Sequence, residues 1–185
     1  SILKEHGITI DEHCYYVDCE YITYPIPYAG TVYFYHKFIY MYRLGRNGQS
    51  MDILSMQRNR AQHMQVLSSL LSFYDKLPTL PEGKRAYIER CIAQVVENQF
   101  QIYISMGFCK GIFSELRRWD QALKRNYPRI YAATRKKSIT LLRRTGYLAL
   151  PFGTFVYRLV KGEHREILPS AGRYGIISLL FCERF

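Results

Sequence analysis

At 185 residues the chain is long enough for one domain with a substantial core and too short for two large ones. Its 48% hydrophobic and 15% aromatic content excludes a disordered tail, and the lack of any run of about 18 uncharged apolar residues excludes a membrane-spanning helix. A net charge of +11 points to anionic partners such as phosphate, nucleic acid or an acidic membrane leaflet.

The charge is unevenly spread. The first 42 residues hold Glu5, Asp11, Glu12, Asp18 and Glu20 against Lys4 and Lys37 only. The block 117–144 holds Arg117, Arg118, Lys124, Arg125, Arg129, Arg135, Lys136, Lys137, Arg143 and Arg144 against Asp120 alone. An acidic opening and a basic second half suggest two different jobs. The 17 tyrosines supply flat apolar bodies with polar tips, suited to cores and to carbohydrate or nucleotide surfaces alike. Cysteines 14, 19, 91, 109 and 182 form no C-x-x-C pair and have no matching His/Cys pair, so we expect reduced thiols, no metal site and a cytoplasmic address. The chain opens in mid-pattern without a methionine, as expected of a piece of a longer protein.

In chain order, a helix end at Gly7 precedes extended Ile8-Thr9-Ile10. Apolar and aromatic residues over Tyr15 to Tyr24 predict a short helix that stops before Pro25, and Pro25-Ile-Pro27 bars its continuation. Thr31 to Tyr35 and Phe38 to Leu44 are β-branched and aromatic, and read as a hairpin turning at His36-Lys37. From Met51 the pattern is helical, with Ser50 placed as N-cap. Met56, Arg60, Met64, Leu67, Leu71 and Tyr74 recur at helical steps until Pro78. A second helix runs from Pro81-Glu-Gly83 to Gly107, a third from Gly111 to Lys124, a short one over Arg129 to Arg135, and a last one from Ser138 to Leu150. The expected fold is mainly α, with residues 1–50 forming a short β-hairpin segment and 51–185 a helical bundle of antiparallel neighbours.

Three stretches in this order resemble the late part of the catalytic domain in family 2 glycosyltransferases, inverting enzymes of the GT-A fold that build bacterial cell-surface polysaccharides. They are IDEHCYYVDCEYITYPIPY, TVYFYHKFIYMYRLGRNGQSM and the amphipathic MDILSMQRNRAQHMQVLSSLLSFYDKL. The likeness covers roughly residues 8–77. It implies the C-terminal part of an α/β enzyme whose nucleotide-binding half, with its metal-holding D-x-D, lies upstream. No D-x-D occurs in this chain, so alone it should neither bind nor turn over a donor, and Mg²⁺ or Mn²⁺ is expected only in the full-length enzyme.

Inverting transfer needs a carboxylate to take the proton from the acceptor hydroxyl and positive charge on the departing diphosphate. Asp18 falls where the family's acidic motif has its aspartate and is the candidate base, although Val17 stands where glutamate is common; capping of the following helix is the other reading. Asp11 and Glu12 read first as solvated surface acids, and otherwise as residues that shape the loop or contact acceptor hydroxyls; Glu20 takes at most a supporting role. Arg43, Arg46, Gln49 and Ser50 occupy a glycine-bearing turn that opens a helix, where backbone N–H groups favour anions. His63 reads as a packing or hydrogen-bonding residue.

The basic block, of which Arg117, Arg118, Lys124, Arg125, Arg135, Lys136, Lys137, Arg143 and Arg144 are the anion-binding candidates, admits three readings. One is contact with an anionic membrane, helped by the apolar run 148–157; another is a solvated face; the third and least favoured is nucleic-acid binding, for which no module signature stands in the chain. The resemblance implies a nucleotide-sugar donor and a glycan acceptor, at the inner face of the membrane. Exposed strand edges would permit a homodimer. The competing expectation is a non-catalytic helical module that binds an acidic partner through 117–144.

Overall fold

The structure is a computed structural model that describes residues 1–33, 36–37, 52–107, 110–151 and 155. Over these residues the protein is mainly helical. Helices α1 (Ile2–Glu5) and α2 (Asp18–Thr23) and a 3₁₀ turn (Ile26–Tyr28) precede α3 (Ile53–Arg58) and α4 (Arg60–Asp75). The long α5 (Glu82–Met106), α6 (Lys110–Asn126), α7 (Pro128–Ala132) and α8 (Lys137–Arg144) follow.

Helix α5 is the axis of the bundle: α2, α3, α4, α6, α7 and the 3₁₀ turn all pack on it. Its sequence explains why. Ile88, Ile92, Val96, Phe100 and Tyr103 form one stripe at helical steps, and Ala93, Val95, Ile102 and Ile104 widen it well beyond one face, so the helix is surrounded. Val66, Leu67 and Leu70 of α4 close one side of this core. Ile112, Leu116 and Leu123 of α6, Ile130 of α7 and Ile139 and Leu142 of α8 close the other. Each such side chain contributes about 1.5–3 kcal/mol when fully removed from water.

The helix ends follow local chemistry. Pro81 and Gly107 bracket α5, and Gly107 adopts φ 92°, ψ 171°, a backbone reserved for glycine. Pro128 fills the first turn of α7, where its missing N–H is no loss. Helix α8 closes at Thr145: Tyr147 N–H donates to Leu142 O at 2.7 Å and Gly146 N–H to Arg143 O at 3.2 Å, with Gly146 at φ 58°.

Four expectations need correction. None of the described residues forms a strand. Thr31–Tyr33 and His36–Lys37 of the expected hairpin are irregular, and Val32 and Tyr33 are 72% and 86% exposed, without a strand neighbour among the described residues. The rest of that hairpin lies outside the described residues. The single helix expected up to Pro78 is two, broken at Asn59 (φ −94°, ψ 17°). The cap of the first piece is Asp52, whose carboxylate accepts from Ser55 N–H at 3.4 Å; Ser50, expected there, lies outside the described residues. The last helix stops at Arg144, short of Leu150, because residues 146 and 147 both turn to positive φ.

Candidate functional site

The acidic opening segment lies across α4 and is stitched to it by polar side chains. Asp11 N–H donates to Glu20 Oε2 at 2.9 Å, while Asp11 Oδ2 accepts from Ser69 Oγ at 3.0 Å and Gln65 Nε2 at 3.3 Å. Tyr15 N–H donates to Gln62 Oε1 at 2.9 Å. Gln62, Gln65 and Ser69 recur at three- and four-residue steps on α4. That polar stripe is the sequence signal for this seam, and it is legible only once the partner carboxylate is known.

Aromatic contacts complete the attachment. Tyr16 meets the His63 ring edge-on at 5.1 Å, Tyr24 packs on Phe73 at 4.6 Å, and His6 stacks on Tyr28 at 3.8 Å. Lys84 Nζ of α5 donates to Pro27 O at 3.0 Å. His13 (φ 54°) and Tyr16 (φ 74°) sit in the left-handed region, which for a bulky tyrosine is a strained backbone held by its surroundings.

Two carboxylates on this platform are unengaged. Asp18, the first residue of α2, and Glu12 are exposed, and neither makes a hydrogen bond or ion pair with a described residue. Glu20, by contrast, points inward and is fully buried, with Oε1 unpartnered among the described residues; burial raises its pKa. Asp11 spends its Oδ2 on α4. Arg43, Arg46, Gln49 and Ser50, expected on a turn, lie outside the described residues.

His63 is 2% exposed, with Nδ1 unpartnered among the described residues, and burial lowers its pKa to about 4. It is a neutral core histidine that packs on Tyr16. Burial also pushes the Cys19 and Cys91 thiols up, to about 12 and about 11, which makes them poor nucleophiles. Among the described residues no group of three His, Cys, Asp or Glu is placed to hold a metal ion.

The basic block divides into cations used inside the fold and cations left outside. Arg143 makes a two-pronged pair with buried Asp120, at 2.8 and 3.0 Å, and stacks over Tyr131 at 3.5 Å. Arg129 bridges Glu89 (2.6 Å) and Glu82. Arg135 gives its backbone N–H to buried Glu97 at 2.6 Å, and Arg90 pairs with the same carboxylate at 2.8 Å. Lys136 is half-buried, and burial lowers its pKa, partly offset by Glu97. Arg117, Arg118, Lys124, Arg125, Lys137, Arg144 and the Arg135 guanidinium are exposed and pair with no acid among the described residues. Which arginines are internal is decided by the buried acids Asp120, Glu89 and Glu97, whose burial no sequence period marks.

No helix of the described residues is long and apolar enough to cross a membrane. Comparison with protein-family models, curated proteins and solved structures finds no match.

Proposed function

We propose that this chain is the acceptor-side, C-terminal region of an inverting glycosyltransferase of the family 2 type, transferring a sugar from a nucleotide-sugar donor to a cell-surface polysaccharide or lipid-linked acceptor. Beside the likeness of residues 8–77, one observation supports this reading. Asp18 is an exposed carboxylate without a partner among the described residues, on a segment held to α4 through Asp11, Tyr15 and Tyr16. A general base must be both free to accept a proton and fixed in place, and Asp18 meets both conditions.

In the proposed reaction Asp18 takes the proton of the acceptor hydroxyl as its oxygen bonds to the anomeric carbon. The bond from that carbon to the diphosphate oxygen breaks, and the electron pair leaves with the nucleoside diphosphate. Glu12 and the cations Arg43 and Arg46 are assigned to acceptor and diphosphate binding, with Gln49 and Ser50 beside them in the sequence. A divalent ion would sit on the nucleotide-binding half upstream. The described residues of this chain offer it no ligand set, and no step here runs through it.

The test is sugar transfer across a panel of nucleotide sugars with Mg²⁺ or Mn²⁺, for this chain and for the longer protein that includes the upstream half. Transfer by the longer protein and none by the chain alone is the expected result. A longer protein inert on every donor would replace this reading with that of a non-catalytic helical module.

A further inference from the structure

The exposed part of the basic block has an arrangement that a merely solvated face does not require. On α6, Arg117 and Lys124 lie seven residues apart on the flank beside Asp120, and Arg118 and Arg125 form a second row farther from the core. On α8, Ile139 and Leu142 face inward, which leaves Lys137, Leu141 and Arg144 on the outward stripe. The two helices are locked together because Arg143 and Tyr147 both bond Asp120. Lys124 and Arg143 share the ring of Tyr131.

No acid among the described residues compensates the exposed charge on this face. The only acids between residues 110 and 151 are Glu115 and Asp120; the first pairs with Arg60 at 3.5 Å and the second is buried against Arg143. Amid the cations, Leu141 is 51% and Leu148 79% exposed. Phosphates alone would be met by the cations, and the leucines would gain nothing from them. A surface that offers anionic headgroups above an apolar layer satisfies both.

We propose that the outer face of α6 and α8, with Leu141 and Leu148, docks on an anionic lipid bilayer, the cations at the headgroups and the leucines inserted shallowly. The inference is independent of the transfer reaction, since vesicle binding needs no donor, so either can fail alone.

The test is co-sedimentation of the full chain with vesicles of phosphatidylcholine, with and without phosphatidylglycerol, at low and physiological salt. Binding should require phosphatidylglycerol and weaken with salt. Lys137→Gln with Arg144→Gln should lower the partition coefficient about 30-fold. Arg117→Gln with Lys124→Gln, on the other helix, should repeat the loss, and Leu141→Ser with Leu148→Ser should cost about 10-fold. All six positions are exposed, so thermal melts should match the parent chain. Equal binding to neutral vesicles, or binding unmoved by either charge pair, would overturn the proposal. So would unmoved binding in the leucine pair, capture of duplex DNA or RNA in place of vesicles, or a dimer that buries this face.

Discussion

A carboxylate without solvent is tolerated only when its charge is met from within the protein, and Asp120 is 0% exposed. Arg143 donates to both its oxygens, at 2.8 and 3.0 Å, and the Tyr147 hydroxyl donates to Oδ2 at 2.7 Å. Arg143 also reaches Tyr131 O at 3.1 Å and Thr134 Oγ1, so one side chain joins α6, α7 and α8. Arg143→Met leaves Asp120 buried and unpaired and should cost about 3–5 kcal/mol in urea unfolding. A loss under about 1 kcal/mol would mean that the pair is solvated in solution.

Burial of His63 is testable by pH. Its folded pKa, about 4, lies below the ordinary 6.5 because burial disfavours the imidazolium. The unfolded chain therefore takes up the proton first. This contribution to stability is complete above about pH 6.5 and falls as pH drops from there toward 4, by up to about 3 kcal/mol. In His63→Leu that component should vanish, and the difference between the two unfolding curves should slope through this window. A difference that stays flat from pH 7 to 4 would show His63 to be solvated.

At the scale of elements, Gly107 is the position where backbone conformation is most demanding. Its φ of 92° with ψ of 171° is open to glycine and costs any other residue about 1–3 kcal/mol, so Gly107→Ala should lower the urea midpoint accordingly. A variant as stable as the parent would place the end of α5 elsewhere.

The boundaries of α5 and α6 were legible because Pro81, Gly107 and uninterrupted helical stripes mark them. The Asn59 break was not. One residue with a non-helical ψ leaves the four-residue steps from Met56 to Arg60 to Met64 intact. The early end of α8 was hidden for a related reason: Tyr147 and Leu150 continue the apolar pattern of Ile139 and Leu142 but reach the core from a turn. The hairpin was inferred from β-branched and aromatic composition, which reports fitness for a pleated surface and not the presence of a partner. In the candidate site, the acidic cluster itself was visible, but which carboxylate faces inward was not. Asp11 and Glu20 turn to α4 and the core, whereas Glu12 and Asp18 turn to solvent, a division set by the irregular path between them and not by any period.

In the molecule as a whole, α5 underlies two surfaces, one acidic and one basic. Its N-terminal half and α4 carry the acidic opening segment, through Lys84 and the seam of Gln62, Gln65 and Ser69. The other side of the bundle, closed by α6, α7 and α8, carries the exposed cations. If the two proposals hold, an acidic platform for the acceptor and a basic docking face on one helical body would let the proposed transferase work on a glycan whose lipid anchor stays in the membrane. Of the two, the platform is the central claim, and it reduces to one side chain. The most direct measurement is the single-turnover transfer rate of the proposed longer transferase with Asp18→Asn, beside its thermal melt. The melt should be unchanged, since Asp18 has no partner to lose among the described residues, with the rate lowered by about 10²–10⁴-fold, the usual contribution of a positioned base. An Asp18→Asn enzyme as fast as its parent would contradict the central claim.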